Sequence, residues 1–581
     1  EFDGAAPAGV DLLTVVLHEI GHILGYGHDS GLAVMEDTLA AGSRVLLGGS
    51  GETADAGDEA VVGTLTTTID TLTGEADDTS LVFTIKDLDS DNSLDVSVTG
   101  SDGDDGEYTD ISNLNGGAAS NVEIVIDSSI TASATWTITG DGAGTLTVNG
   151  FNTINFTNID VFTGAAGGSG SDTLIGLGLG SIWKIDGANT GNVAGISYSG
   201  IENLLGGIGN DNFVFTADGS LSGSITGSGG NDRIRGGDKG NQWHINGNNS
   251  GKLNNGNFSG IHYLEGGNDK DEFVLFDGGS LAGGLDGQEG NDTVVGADTE
   301  NTWSVTAAAA GTVNSLGFSG IEALTGGAAT DTLVGADTEN TWSLTAADTG
   351  TLNSLGFSGI EALTGGAAAD TLVGADTDNT WTIDGLNSGD LNGLDFSRFE
   401  ALTGGAATDT LVGADTENTW SLTAADAGTL NSLGFSGFEA LTGGAATDTL
   451  VGADTENTWT ISGLNSGGLN GLGFSGFEAL TGGAATDTLV ASDTDNIWKI
   501  TGQDAGTLNG LVFTNVENLL GGSGADWFQF LGGSISGLID GAAGENTFDY
   551  ADAIAGIMVD LGLATATGAA QFANLSKLTG S

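Results

Sequence analysis

Tryptophan recurs along this chain at a fixed interval, and that interval constrains the fold more than any other feature. One tryptophan, one phenylalanine and one aspartate keep the same 39-residue spacing: Trp303, Trp342, Trp381, Trp420, Trp459 and Trp498; Phe318, Phe357, Phe396, Phe435, Phe474 and Phe513; Asp292, Asp331, Asp370, Asp409, Asp448, Asp487 and Asp526. Upstream, Trp183, Trp243 and Trp303 follow a longer, 60-residue period. The two periods share a divisor near 20, since 39 residues are about two coils of that length and 60 residues are three. A repeat of about 20 residues with three short strands and three turns is one coil of a parallel β-helix.

Strand-like pieces fill each repeat. Residues 341–344 and 370–373 alternate or cluster apolar side chains over four positions, and Gly, Asn and Asp separate such pieces. Helical periodicity is missing from this region. The expected fold class is therefore mainly β, a long parallel β-helix or solenoid of about 20 residues per coil, preceded by a short α-helical segment. The Trp and Phe columns are then either packing ladders or platforms for stacking carbohydrate rings.

The charge of the chain restricts its partners. Asp and Glu number 78 against 11 Lys and Arg, which gives a formal net charge of −67. Such a polyanion repels nucleic acid and anionic lipid, so neither nucleic-acid binding nor membrane insertion is expected. Divalent cations would relieve the repulsion, and calcium is the hard cation that oxygen ligands select. The alternative is that the acidic residues only keep a large extracellular protein soluble.

Cysteine is absent from all 581 residues. A secreted eukaryotic protein of this size would usually carry disulfides, so the absence favours a bacterial exoprotein that is stabilised in another way. The expected localisation is therefore secreted, extracellular or at the bacterial cell surface.

A short segment near the start of the sequence carries the chemistry of a metal site. Residues 18–28 read HEIGHILGYGH. On a helix, His18 and His22 project from the same face and can reach one zinc ion, while Glu19 lies beside them to take a proton from bound water. Gly25 lets the chain leave the helix, and His28 returns as a third ligand. Three protein ligands leave the fourth position open for water, as in catalytic zinc sites.

This motif resembles that of the metzincin zinc endopeptidases, and Met35 strengthens the resemblance because metzincins place a Met-turn shortly after the third His. The short spacing is more similar to the matrixin branch. The resemblance implies His18, His22 and His28 as zinc ligands, Glu19 as catalytic general base, and Met35 as the hydrophobic floor under the metal. Glu36 and Asp37 follow Met35, so the tyrosine that some branches place two residues later is missing.

Three segments resemble the glycine-rich calcium-binding nonapeptide of the repeats-in-toxin (haemolysin-type) proteins: Gly167–Ile175, Gly206–Val214 and Gly521–Gln529. A weaker copy begins at Gly227. The resemblance implies calcium at the aspartates of these turns, Asp172, Asp211, Asp232 and Asp526. The 39-residue copies replace the third glycine by alanine, as at Ala329, where a Cβ would penalise a left-handed conformation. There the alternative is a β-helix corner whose aspartate caps backbone amides.

These features predict four regions. Residues 1–48 are expected to be the C-terminal part of a metzincin domain, 49–130 an acidic β-rich connector or small β-domain, 131–545 the β-helix, and 546–581 the start of a truncated further repeat module. The sheet that a metzincin cleft needs before the motif is not seen, so the chain is expected to be a fragment that is inactive alone.

Two functions are compatible with these features. One is a secreted zinc metalloendopeptidase, acting on protein or peptide substrates and carried on an acidic calcium-binding β-helix. The other is a giant bacterial surface adhesin or extracellular matrix protein with a minor or vestigial peptidase segment, whose β-helix binds a cell-surface or matrix ligand.

Overall fold

The computed structural model describes residues 53–55, 71–74, 78–88, 93–101, 106–165, 170–553 and 556–580. These residues form strands, turns and bends, and none of them is helical. Within these ranges, therefore, no helix is long and apolar enough to cross a membrane. The predicted helix that would carry the zinc motif lies outside the described residues.

The strands of the first half of the chain are short and regularly spaced. They are β1 (Thr53–Asp55), β2 (Thr71–Thr73), β3 (Leu81–Lys86), β4 (Asp95–Gly100), β5 (Gly106–Tyr108), β6 (Asn113–Asn115), β7 (Val122–Ile126), β8 (Ala134–Gly140), β9 (Ala143–Val148), β10 (Thr153–Thr157), β11 (Val161–Thr163), β12 (Thr173–Ile175), β13 (Ile182–Gly187), β14 (Thr190–Val193), β15 (Ile196–Ser199), β16 (Asn203–Leu205), β17 (Asn212–Phe215), β18 (Ser224–Thr226), β19 (Arg233–Arg235), β20 (Gln242–Gly247), β21 (Ser250–Leu253), β22 (Gly256–Ser259), β23 (Tyr263–Glu265), β24 (Glu272–Leu275) and β25 (Gly284–Asp286).

The strands of the second half keep the same lengths and order from repeat to repeat. They are β26 (Thr293–Val295), β27 (Thr302–Ala307), β28 (Ala310–Val313), β29 (Leu316–Ser319), β30 (Ala323–Thr325), β31 (Thr332–Val334), β32 (Thr341–Ala346), β33 (Thr349–Leu352), β34 (Leu355–Ser358), β35 (Ala362–Thr364), β36 (Thr371–Val373), β37 (Thr380–Gly385), β38 (Ser388–Leu391), β39 (Leu394–Ser397), β40 (Ala401–Thr403), β41 (Thr410–Val412), β42 (Thr419–Ala424), β43 (Ala427–Leu430), β44 (Leu433–Ser436), β45 (Ala440–Thr442), β46 (Thr449–Val451), β47 (Thr458–Gly463), β48 (Ser466–Leu469), β49 (Leu472–Ser475), β50 (Ala479–Thr481), β51 (Thr488–Val490), β52 (Ile497–Gly502), β53 (Ala505–Leu508), β54 (Leu511–Thr514), β55 (Asn518–Gly522), β56 (Trp527–Phe530), β57 (Ile535–Ala542), β58 (Thr547–Tyr550), β59 (Val559–Asp560), β60 (Thr565–Ala566), β61 (Ala569–Ala573) and β62 (Lys577–Gly580).

The chain divides into two compact units. The first ends at Asp269 and also takes in Gly279–Gly284, whereas the second holds Lys270–Gly278 and continues from Leu285. In each unit the strands are divided between two long sheets, and the chain passes from one sheet to the other in turn. This confirms the prediction of a mainly β chain with regularly spaced strands, consistent with a parallel solenoid.

The shortest coils show the basic unit of the solenoid. In the first unit, Leu204 of β16 pairs in parallel with Ile225 of β18, the next strand of the same sheet. In the second unit, Leu519 of β55 pairs in the same way with Ile539 of β57. The separation of each pair along the chain matches the predicted coil length, but three strands per coil is wrong. Each short coil has two strands, one in each sheet. In the three-residue strands β16 and β18 only the central side chain is buried, so one side chain per strand contributes to the core between the sheets.

Each repeated tryptophan begins a three-stranded antiparallel meander within one sheet. In β32, Trp342 lies opposite Leu352 of β33, and Gly350 of β33 lies opposite Phe357 of β34. The outer strands of the meander pair in parallel with single strands, since Trp342 also pairs with Leu372 of β36. The solenoid ladder is therefore mixed, with parallel steps separated by antiparallel inserts.

The meander changes the meaning of the 39-residue period. After β32 to β34, the chain crosses to the other sheet at β35, returns to the first sheet at β36 and crosses again at β37. The next copy of the meander begins with β37. One repeat therefore makes three crossings, and successive tryptophans alternate between the sheets, with Trp342 and Trp420 in one and Trp381 and Trp459 in the other. The interpretation of this period as two coils is wrong, because the repeat is one and a half coils with a meander inserted.

Aromatic side chains form the centre of this thin core. The tryptophans from Trp136 to Trp498 are 0% exposed, and the repeated phenylalanines are nearly as buried. Trp381 contacts Phe396 of its own meander and Phe438 of the next copy, both edge to face with ring centroids 5.8 Å apart. These columns are packing ladders, and their burial excludes the alternative that they stack carbohydrate rings in the folded protein.

Candidate functional site

The predicted zinc site lies outside the described residues. This applies to His18, Glu19, His22 and His28, and also to the structural residues Gly25 and Met35. In the part of the chain that the structure does describe, no group of three or more His, Cys, Asp or Glu side chains could hold a metal ion.

The aspartates predicted as calcium ligands are all placed at turns between the two sheets, and all are buried. Asp172 is 2% exposed, and its Oδ1 accepts the backbone N–H of Ala134 at 2.8 Å while Oδ2 accepts that of Ala165 at 3.0 Å. Burial raises the pKa of Asp172 above its usual range, and the two amide hydrogen bonds oppose the shift. The carboxylate therefore caps one backbone amide of the adjoining coil and one of its own turn.

Asp211 and Asp232 occupy successive short coils and are stacked on each other. Asp211 accepts the N–H of Ser181 on Oδ1 at 2.8 Å and that of Gly207 on Oδ2 at 2.7 Å. Its own N–H donates to Asp232 Oδ1 at 2.8 Å. Burial raises the pKa of Asp232, and the Asp211 carboxylate adds to the rise. The two predicted ligands are thus brought together, but as a hydrogen-bonded stack.

Asp526 has the same role near the end of the described chain. Its Oδ1 accepts the N–H of Asn496 at 3.2 Å and the Asn496 side-chain amide at 2.7 Å. The N–H of Asp526 donates to Asn546 Oδ1 at 3.0 Å, so an asparagine takes the place of the next aspartate. Burial again raises the pKa of Asp526. A cation could reach this 1% exposed carboxylate only if the turn opened.

The 39-residue copies contain the same stack although their third glycine is an alanine. Asp370 Oδ1 accepts both the N–H and the side-chain amide of Asn340, at 2.8 and 2.7 Å. The N–H of Asp370 donates to Glu400 Oε2 at 2.9 Å. We call this arrangement the Asn–Asp–Glu stack. It recurs as Asn301–Asp331–Glu361, Asn379–Asp409–Glu439, Asn418–Asp448–Glu478 and Asn457–Asp487–Glu517.

One feature of the stack follows from the sequence and two do not. Capping of backbone amides by the aspartate is the alternative expected for the alanine-containing turns. The Asn and Glu partners were missed, although each lies 30 residues from its aspartate in every copy, and that constant spacing was the available signal.

The third glycine of the intact turns is not needed for a left-handed backbone, contrary to the expectation from the sequence. Neither Ala329 nor Gly209, which occupies the same position in a turn with all three glycines, has a positive φ. At Gly209 an added Cβ would lie 2.1 Å from the backbone nitrogen of Gly180, so this glycine permits close approach of two turns rather than a left-handed backbone.

Three buried aspartates, Asp232, Asp292 and Asp448, have an incomplete set of hydrogen bonds among the described residues, and the pKa of Asp292 shows the consequence. Asp292 Oδ1 accepts the N–H of Asp271 at 2.7 Å, whereas Asp292 Oδ2 is buried and has no partner among the described residues. Burial, reinforced by the charge of Asp271, raises the pKa of Asp292 to about 6. At the equivalent position of a later short coil, Asn546 uses its amide to donate to the carbonyl of Gly541 at 2.8 Å. The neutral amide thus provides the donor that an ionised Asp292 lacks.

Replacing Asp292 by asparagine should therefore stabilise the fold at neutral pH by about 2 kcal/mol, because it removes an unpaired buried charged acceptor. The folded-state pKa of about 6 lies above the ordinary value of 3.8, so ionisation of Asp292 costs stability. The cost is absent below the ordinary pKa, grows as pH rises and is complete above the folded pKa. Urea unfolding at pH 5 and pH 7.5 should show a smaller loss of stability on going to pH 7.5 in Asp292→Asn than in the parent. The reverse change, Asn546→Asp, should give a larger loss, and an unchanged pH response in both variants would contradict the assignment.

The sequence matches no protein-family model and no curated protein.

Proposed function

We propose that this sequence belongs to a secreted zinc-dependent metalloendopeptidase carried on an acidic solenoid. The observation that carries the proposal is the eleven-residue segment from His18 to His28 together with Met35. Three imidazoles with this spacing form a donor set that suits zinc and leaves one position open, and a carboxylate stands next to the first ligand. No other segment of the chain has a comparable concentration of catalytic residue types.

In this proposal His18, His22 and His28 hold the ion and leave space for water and substrate. Bound zinc would supply Lewis-acid polarisation of the scissile carbonyl and a lowered pKa for its water. Glu19 takes the proton released as the nucleophile forms and delivers it to the leaving amine, which is general acid–base catalysis by one carboxyl group. Met35 forms an apolar floor beneath the imidazoles.

The acidic solenoid serves as carrier in the same proposal. Its buried aspartates are occupied with amide hydrogen bonds, as at Asp211 and Asp526, so they are poor candidates for calcium ligands in the closed turns. We propose that Ca²⁺ instead screens the exposed carboxylates, which carry most of the net charge of −67. The protein is secreted or held at a bacterial cell surface, since the chain has no cysteine and is strongly acidic.

The second candidate function is a surface adhesin or matrix protein with a minor peptidase segment. The near-identity of the 39-residue copies favours it, because five of them repeat the Asn–Asp–Glu stack, each with an Asn N–H to Asp Oδ1 distance of 2.6–2.9 Å. Selection for length and surface would preserve such copies. A solenoid that only carries an enzyme does not require them.

The zinc content of the full-length protein distinguishes these two candidates, because the metalloendopeptidase requires a zinc ion bound by the three histidines of the motif. We expect one tightly bound zinc per chain by elemental analysis after dialysis, and we expect His22→Gln to lose most of it because one of three ligands is removed. His244→Gln is the matched control, since His244 lies on β20 in the solenoid, and it should retain full zinc. Equal zinc content in the parent protein and His22→Gln would overturn the proposal.

A further inference from the structure

A cleft opens on the first unit beside a short coil. The coil formed by β17 and β18 has no meander, whereas its neighbours do, and their turns stand on either side of it. Ala188 and Asn189 belong to the turn between β13 and β14, and Asn254 and Asn255 to the turn between β21 and β22. The resulting cavity has a volume of about 590 Å³. Small-molecule sites occupy about 300–1,000 Å³.

The floor of the cleft is apolar because no neighbouring side chain covers the ring of Phe215. Phe215 ends β17 and is partly exposed in the cleft, although Phe213 on the same strand is fully buried. In a later short coil the equivalent residue, Phe530, is covered by the stacked ring of Tyr550 at 4.6 Å. The residue next to Phe215 in the parallel register is Gly236, one position beyond the pair Val214–Arg235. Glycine leaves the phenyl ring uncovered.

Polar groups without internal partners surround this floor. The side chains of Ser220, Asn255 and Asn257 line the cleft and make no hydrogen bond to any described residue. Lys239 lines it too, is half-buried, and has no carboxylate within 4.0 Å among the described residues. Hydroxyl, amide and ammonium groups around an exposed aromatic ring are the chemistry that recognises a sugar with a negative substituent.

The charge of the cleft departs from that of the chain. The protein has 78 acidic residues among 581, yet none of the residues lining the cleft is Asp or Glu. The region around it also contains Arg233, Arg235 and Lys252, three of the 11 basic residues of the chain. Arg233 and Arg235 are paired with Glu265 and Asp238, and of the two remaining cations Lys239 lines the cleft whereas Lys252 does not.

We propose that this cleft binds a short acidic carbohydrate. The sugar ring lies against Phe215, the amides of Asn255 and Asn257 and the hydroxyl of Ser220 bind its hydroxyl groups, and Lys239 pairs with its carboxylate. Salt screens the remaining charges of the protein beyond about 8 Å, so the local ammonium group dominates the attraction. The inference is independent of the zinc segment.

Calorimetric titration of the whole chain with digalacturonate in the presence of a chelator tests the proposal, since the chelator removes bridging by divalent cations. We expect saturable binding at one site and at least about a tenfold weaker affinity in Lys239→Gln, equivalent to about 1.4 kcal/mol. Lys252→Gln is the matched control, because Lys252 is exposed on β21 and does not line the cleft, and its affinity should be unchanged. The methyl ester of the same sugar should bind as weakly as digalacturonate binds to Lys239→Gln.

Three results would overturn the proposal. The first is no saturable binding of digalacturonate to a chain that gives the native circular dichroism spectrum. The second is an equal loss of affinity in Lys239→Gln and Lys252→Gln, which would indicate unspecific attraction to basic side chains. The third is equal affinity for the acid and its methyl ester, which would remove the role of Lys239.

Discussion

Asp409→Ala should lower the free energy of unfolding by about 3–5 kcal/mol, because it removes the shared acceptor of one Asn–Asp–Glu stack. Asp409 is 0% exposed. Its Oδ1 accepts the N–H and the side-chain amide of Asn379, and its Oδ2 accepts the N–H of Gly405. Alanine would leave the backbone N–H groups of Asn379 and Gly405 without these acceptors, while the Asn379 side-chain amide keeps the carbonyls of Ala375 and Thr377. The loss should be measured by urea unfolding, with hydrogen exchange locating it in the coils on either side.

The control for this experiment is Asp426→Ala. Asp426 lies in the same 39-residue repeat, but it is exposed at the tip of the meander. A surface substitution of this kind should change stability by no more than about 0.5 kcal/mol. Similar effects of the two substitutions, or protection from exchange that is unchanged beside Asp409, would show that the stack does not hold adjacent coils together.

The aromatic spacing was enough to predict the architecture of the solenoid but not its detailed path. Trp342 and its copies recur at a fixed interval because each fills the same buried position, and such periodicity indicates stacked coils. The same interval is compatible with two plain coils or with one and a half coils and a meander. The choice depends on whether residues such as Gly350 pair backward along the chain or continue forward, and tertiary pairing decides that.

The turns illustrate a different limit. A glycine-rich turn that ends in aspartate predicts a corner, and the corner is present at Asp211 and at Asp370 alike. Whether the aspartate binds a cation or an amide depends on which backbone faces it from the next coil. That neighbour lies 30 residues away in the sequence, so local motif matching does not include it.

The catalytic proposal depends on residues of a different kind, because a reactive side chain is recognised by its chemistry rather than by its packing. His18, Glu19 and His22 are specified by their close spacing in one short motif. No repeat of the solenoid contributes to that argument. The solenoid is therefore explained by its packing, whereas the proposed activity depends on one short segment.

Glu19→Ala provides the most direct test of the functional part. The variant retains all three histidines, so it should bind zinc as the parent protein does, while its rate of peptide cleavage should fall by about 10³-fold because the general base is lost. Glu417→Ala, which removes an exposed carboxylate from a solenoid turn, is the matched control and should cleave at the parental rate.

The decisive measurement is the hydrolysis of a fluorogenic peptide by the full-length protein and by Glu19→Ala, at equal and verified zinc content. The account predicts cleavage by the parent protein, near-complete loss in Glu19→Ala and no change in Glu417→Ala. Equal cleavage by the parent and Glu19→Ala, or no cleavage by a parent protein that carries its full zinc, would contradict it.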